Sequence, residues 1–248
     1  FSDATLSLTF ILACKSGRLD LSCILKLDLS ERLPNMIVYG NSLSPFVRKV
    51  LVFAAEKGVS METRPVVPGA DDPKFRAISP FGKIPAFSDG DYSLSDSSAI
   101  VHYLEAKHPS PALIPVDAEI RGRVVWFDEF ADTILVQPVG KIFFNRIVAK
   151  LLGRRADPAV ADEAQANELP PVLAWLETQI PASNFLVGNM LTLADISVGT
   201  MLVNLGHTGT APKASEYPKL AAYSESVLSR PSFAKLIAGE QRALGLSN

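Results

Sequence analysis

The stretch Gly82-Lys83-Ile84-Pro85-Ala86-Phe87-Ser88-Asp89-Gly90-Asp91-Tyr92-Ser93-Leu94-Ser95-Asp96-Ser97-Ser98-Ala99-Ile100 holds two strands, a tight turn and the start of a helix. Asp89-Gly90-Asp91 separates an apolar run at residues 84–88 from a shorter one at 92–94, and an Asp-Gly turn between such runs predicts an antiparallel hairpin. From about Ser97 the period changes to that of a helix, with Ala99, Ile100, Tyr103 and Leu104 inward and a stop before Pro109.

Upstream, Met36-Ile37-Val38-Tyr39 reads as a short buried strand. Ser44-Pro45 then opens a helix with apolar positions at Phe46, Val50, Phe53 and at Val47, Leu51, Ala54, closed by Gly58 just past Lys57. Residues 63–67 are a further strand candidate and 71–77 a short helix or turn. The order over residues 36–110 is βαβαββα.

Downstream of a Pro- and Ser-bearing linker at 109–115, strand patterns give way to helical ones, so residues 117–248 are expected to form an all-α second domain. Val124, Phe127, Phe130 and Ile134 make the first helical stripe. Pro138 is expected to kink or end it before Phe143, Phe144, Ile147, Val148 and Leu151 resume. A second run opens at Asp157-Pro158, and Pro170-Pro171 predicts a bend ahead of Leu173 and Leu176. Thr192 and Asp195 form an acidic capping box, with Leu191 and Ile196 as its hydrophobic staple.

The chain has 248 residues, 48% hydrophobic and 20% charged, with a formal charge of −2, which places it among globular proteins and leaves no basic surplus for a nucleic acid or an anionic membrane. Its apolar run at residues 6–13 is far shorter than the roughly 20 residues a membrane span requires. His102, His108 and His207 share no metal-ligand spacing, so no metal is expected. Both cysteines, Cys14 and Cys23, precede Met36, which argues for a reducing compartment and a cytoplasmic location. Residues 1–35 show no sustained period and read as an N-terminal extension, disordered or non-native to the domain.

Gly82-Lys83-Ile84-Pro85-Ala86, followed by Asp96-Ser97-Ser98-Ala99-Ile100 within a βαβαββα unit and ahead of an all-α half, resembles the cytosolic glutathione transferase family over residues 36 to about 240. The resemblance implies a thioredoxin-like first domain, a cis peptide at Pro85, and a backbone contact from Ile84 to the cysteinyl part of glutathione. It also implies that Asp96 and Ser97 receive the γ-glutamyl end, and that Lys83 meets the glycyl carboxylate. A helix N-terminus suits a carboxylate, and Asp96 can pair with an ammonium. The family's usual Asn before this proline-containing turn is Ser79 here, in Ser79-Pro80-Phe81-Gly82.

Ser44-Pro45-Phe46-Val47-Arg48 resembles the serine-type segment of tau- or theta-like members, which implies that Ser44 donates to the glutathione sulfur. An N-cap role competes for the same hydroxyl. Tyr39, at the strand end, and Ser42, in the same loop, are rivals for the thiolate. Phe127, Phe130, Ile134 and Phe143 are candidates either for core or for an apolar pocket. The resemblance implies a homodimeric transferase with glutathione as cosubstrate, a small apolar electrophile as partner, and no other cofactor. A glutathione-dependent peroxidase, dehalogenase or ether-cleaving enzyme, and a non-catalytic binding or dimerisation module, are alternatives on the same fold.

Overall fold

A computed structural model describes residues 36–246; the extension at 1–35, with Cys14 and Cys23, lies outside the described residues. The strands are β1 (Met36–Tyr39), β2 (Glu62–Arg64), β3 (Ala86–Asp89) and β4 (Tyr92–Ser95), interleaved with helices α1 (Pro45–Glu56), α2 (Pro73–Ile78) and α3 (Ser97–Lys107). They form one sheet in the order β2-β1-β3-β4. β1 runs parallel to β2 and antiparallel to β3, and β3 pairs with β4 as the hairpin read from the Asp-Gly turn, Asp89 facing Tyr92.

β2 is shorter than the run at 63–67, because Pro65 has no N–H with which to continue the ladder. β3 starts at Ala86 instead of residue 84, since Pro85 has no N–H to give to a ladder; the Ile84–Pro85 peptide is cis. α1 and α3 pack on one another, while α2 lies against β3 and β4. Val38, Val47, Val50, Phe53, Phe87 and Ile100 are fully buried between them.

From residue 118 the described chain is helical. The first run consists of α4 (Ala118–Phe130), α5 (Val136–Phe143) and α6 (Ala149–Leu151), joined without a break by wide π turns at Ala131–Leu135 and Phe144–Val148. Pro138 therefore does not end the helix. The wide turn, in which the Val136 N–H reaches back to the Ala131 carbonyl, comes just where the proline ring would otherwise meet the Ile134 carbonyl. The same arrangement recurs in the next run, where α7 (Pro158–Glu163) passes through a π turn at Ala164–Glu168 into α8 (Leu169–Gln179), which carries Pro170 and Pro171.

α9 (Leu193–His207) is buried along nearly its whole length, as a helix apolar on every side must be, and α10 (Pro218–Leu228) and α11 (Pro231–Leu244) complete the array. Asp195 caps α9 as the Thr192 pattern predicts, accepting from the backbone N–H of Thr192 at 2.9 Å and of Leu186 at 2.8 Å, and from the Tyr223 hydroxyl at 3.1 Å. α1 packs against both α9 and α11, so the first helix after β1 is the joint between the sheet and the helical array. No described helix is long and apolar enough to cross a membrane.

Candidate functional site

The chain leaves β1 through Gly40, whose φ of +144° and tight surroundings exclude a side chain: a Cβ there would stand 2.6 Å from Val47 Cγ2 and 3.3 Å from Ile84 Cβ. This close approach sets the first turn of α1 beside the cis Ile84–Pro85 peptide. The Asn41 side chain then accepts from the Leu43 N–H at 2.9 Å, and the chain enters α1 with Ser44 in extended conformation at the N-cap.

The Ser44 side chain makes no capping hydrogen bond. Its hydroxyl is not used by the helix, although the helix N-terminus still places about half a positive charge beside it. Ser44 and Ile84 both line a cavity of about 370 Å³. The rest of its wall is apolar: Phe46 from α1, Val66 and Val67 after β2, Val136, Val139 and Phe143 from α5, and Met201 from α9. Among the described residues Asn41 and Asn204 are the only other polar side chains on it, and none of those lining it carries a titratable group.

Tyr39 does not line the cavity and lies under the Arg64 guanidinium, 5.9 Å from its ring centroid. Ser42 also lies off the wall. Of the aromatic candidates, Phe143 reaches the cavity, whereas Phe127 and Phe130 pack with Trp126 and Trp175 in an aromatic cluster, and Ile134 is exposed.

At the start of α3, Asp96 has φ +88° and accepts from the Ala99 N–H at 3.0 Å, while Ser97 is buried. A non-glycine residue at such a φ is held there by its surroundings and is typical of sites where backbone geometry serves a ligand. Neither residue lines the apolar cavity, so the sequence-predicted residues fall into two groups: Ser44 and Ile84 at the cavity, Asp96 and Ser97 at the end of α3. Pro85 is buried between them in sequence, at the entry to β3. The Lys83 side chain is exposed and makes no hydrogen bond among the described residues; its carbonyl accepts from the Ser79 hydroxyl at 2.7 Å.

A match to a family model described as the glutathione S-transferase N-terminal domain covers residues 38–112, and one for the glutathione S-transferase C-terminal domain covers residues 144–240. Glutathione S-transferase 4 of Zea mays is 33% identical over 207 residues, 82% of this chain and 92% of its own length. The chain belongs to the glutathione S-transferase family. Among solved structures, glutathione S-transferase III in apo form superposes with a TM-score of 0.72 at 32% identity, covering 86% of this chain and 98% of that one. Maize glutathione S-transferase I in complex with an atrazine glutathione conjugate gives 0.73 at 28% identity, covering 82% and 96%.

Two adjacent cations of α1 tie this transferase's two groups of candidate residues into the fold, and neither role is evident from local sequence. Lys49, buried, donates to Asp128 at 2.8 Å, to Asp132 at 2.6 Å and to the Ser98 hydroxyl at 3.1 Å, which anchors α1 to the residue following Ser97. Burial pushes the Asp132 carboxyl above its ordinary range, against the pull of Lys49. Arg48, also buried, pairs with Glu240 of α11 through Nε at 3.0 Å and Nη2 at 2.7 Å, and donates from Nη1 to the Thr200 carbonyl and to Asn204 Oδ1 of α9. Burial pushes the Glu240 carboxyl up, but His207, Arg48 and the Ser42 hydroxyl together hold it below the usual carboxylate range. The available signal was a pair of cations set into the apolar pattern one turn after Ser44. Among the described residues no cluster of His, Cys, Asp and Glu could hold a metal ion.

Proposed function

We propose that this chain binds glutathione and transfers its thiolate to small, uncharged, apolar electrophiles, with Ser44 as the hydrogen-bond donor to sulfur. The observation that carries this reading is an uncommitted serine hydroxyl at a helix N-terminus, opening onto an otherwise apolar cavity. A free thiol with a pKa of about 8.5 is mostly protonated at neutral pH; one charge-assisted bond and the α1 dipole both favour its ionised form. Ile84 presents its backbone to the cysteinyl part of glutathione beside Pro85, Asp96 and Ser97 take the γ-glutamyl end, and the exposed Lys83 meets the glycyl carboxylate. The serine-type class assignment rests on Ser44-Pro45-Phe46.

The solved maize relative with an atrazine glutathione conjugate supports conjugation as the outcome. Among the described residues the cavity wall offers no acid to protonate an alkoxide leaving group. This favours electrophiles that release a weak base such as halide, or that accept sulfur by addition, over hydroperoxides and ethers. Residues 36–110 and 117–248 serve as the glutathione-binding and helical domains of a cytoplasmic, detoxifying homodimer, with the exposed Phe81 as an apolar anchor for the second subunit. Calorimetric titration with glutathione, followed by turnover of an aryl chloride activated by nitro groups, tests the reading: micromolar to millimolar binding with turnover is expected, and absence of both overturns it.

A further inference from the structure

Arg76 of α2 spans two loops that belong to the glutathione and electrophile sites, without itself lining the cavity. Its Nε donates to the Ala70 carbonyl at 3.0 Å, its Nη2 to the Gly69 carbonyl at 3.1 Å and, more loosely, its Nη1 to the Pro80 carbonyl at 3.4 Å. A cation in the last turn of a helix commonly serves that helix's own carbonyls, but none of these three acceptors belongs to α2. Two lie in the loop after β2, next to Val66, Val67 and Pro68 of the cavity wall, and the third lies in the loop before β3, ahead of Lys83 and Ile84. The two loops also meet directly, the Gly69 N–H donating to the Gly82 carbonyl at 2.8 Å, and the Ser79 hydroxyl closes the second loop on the Lys83 carbonyl. Gly82 leaves room for the guanidinium: it is buried at φ +65°, and a Cβ there would stand 2.6 Å from Nη1 and 2.9 Å from Cζ of Arg76.

We infer that Arg76 is a positioning residue that fixes the electrophile wall and the glutathione backbone contact as one unit, so that both substrates meet loops already in place. A guanidinium is planar and offers five donors in a fixed fork, which lets it hold carbonyls of two loops at once, whereas an ammonium is a point donor. Without the bridge, each loop has to be ordered when its ligand binds, and that ordering is subtracted from affinity. Ser44 stands at the start of α1, outside both loops, so ionisation of the glutathione thiol is left to its hydroxyl and to the helix N-terminus. The inference rests on the glutathione-transfer reading and adds to it how one side chain of α2 sets the affinity for both substrates.

Arg76→Met keeps the aliphatic stem and removes the fork. The Kd of glutathione and the KM of an aryl chloride activated by nitro groups are each expected to rise about fivefold or more, while the pKa of the bound thiol stays that of the parent. Arg76→Lys should show the same pattern at smaller amplitude. Hydrogen exchange of the unliganded Arg76→Met variant gives a readout independent of turnover: amides at residues 66–72 and 79–83 should exchange about tenfold faster, with those of α9 unchanged. Gly82→Ala pushes the guanidinium off its carbonyls from the other side, so it should weaken both substrates in the parent and add little in Arg76→Met. A merely structural arginine would lower the melting temperature and leave both affinities alone; that result, unaltered exchange in the two loops, a change in one substrate only, or a raised bound-thiol pKa overturns the role of Arg76 while leaving glutathione transfer standing. Failure of the unaltered protein to bind glutathione and to turn over the chloride overturns the transfer reading and the role of Arg76 with it.

Discussion

Arg48 Nη2 lies 2.7 Å from Glu240 Oε2, with both side chains almost wholly out of water. The pair joins the first full turn after Ser44 to the C-terminal helix, 192 residues away in sequence. A buried pair of this kind is weak support for stability in itself, but losing one partner leaves the other charge unpaired.

Glu240→Gln should therefore destabilise the protein by about 3 kcal/mol near neutral pH. The folded Glu240 titrates below its ordinary value, so its contribution is complete above the unfolded value of about 4.3 and is lost as pH falls through the lower, folded one. Urea unfolding at a series of pH values checks this. The gap between variant and parent should narrow in acid, and a gap constant down to pH values below that range would contradict the assignment.

Ser44→Ala should lower kcat by about ten- to a hundredfold and raise the pKa of bound glutathione, since one hydrogen bond to a charged acceptor is worth roughly 1.5–3 kcal/mol. Thiolate absorbance against pH gives the second quantity directly. Tyr39→Phe is the control, and a rise in the bound-thiol pKa there with none in Ser44→Ala would transfer the donor role to the tyrosine.

Asp96→Asn and Ser97→Ala should act mainly on glutathione affinity, because the γ-glutamyl end is remote from sulfur and its contacts hold ground and transition states alike. Asparagine suits the positive φ at residue 96 and can still cap α3 while losing the charge. An increase in KM of about tenfold with kcat nearly constant is expected; a fall in kcat alone would place the γ-glutamyl group elsewhere.

Gly40→Ala should cost about 1–3 kcal/mol, since the new methyl would meet Val47 and Ile84 from a backbone conformation that side chains rarely adopt. Thermal melts read the loss. Because the same displacement moves the start of α1, glutathione affinity should drop as well, and a melting temperature equal to the parent's would show that the approach is looser than described.

Phe81 is 86% exposed in the loop before β3. Phe81→Ser should shift the protein from dimer toward monomer in light scattering at micromolar concentration. A mass near 26.7 kDa for the unaltered chain would dispose of the dimer altogether.

The hairpin, α1 and α3 were legible because each is announced locally, by Asp89-Gly90-Asp91, by Ser44-Pro45 and Gly58, and by Asp96-Ser97. The prolines mark where both helical runs turn irregular but not the form it takes: wide turns precede Pro138 and Pro170, and the helices continue through them. The wall of the cavity was only partly visible, since Phe127, Phe130 and Phe143 have the same helical spacing and only packing separates the first two from the third. The roles of Arg48 and Lys49 were not legible, for no local pattern reveals partners on α9, α11 and α4 and in the turn after it.

The π turn at Ala131–Leu135 holds one residue more than an α-helical turn would, and everything that α5 shows to the cavity lies after it. A π turn takes up one residue more than an α turn for about the same rotation, so deleting any one of those five and letting the turn relax to α would leave Val136, Val139 and Phe143 facing the cavity as before. The wide turn is thus a splice that absorbs one residue without re-aiming the wall. A single-residue deletion inside the regular α-helix of α4 has no such buffer, and would turn everything after it by about 100° and exchange one set of wall residues for another in a single step.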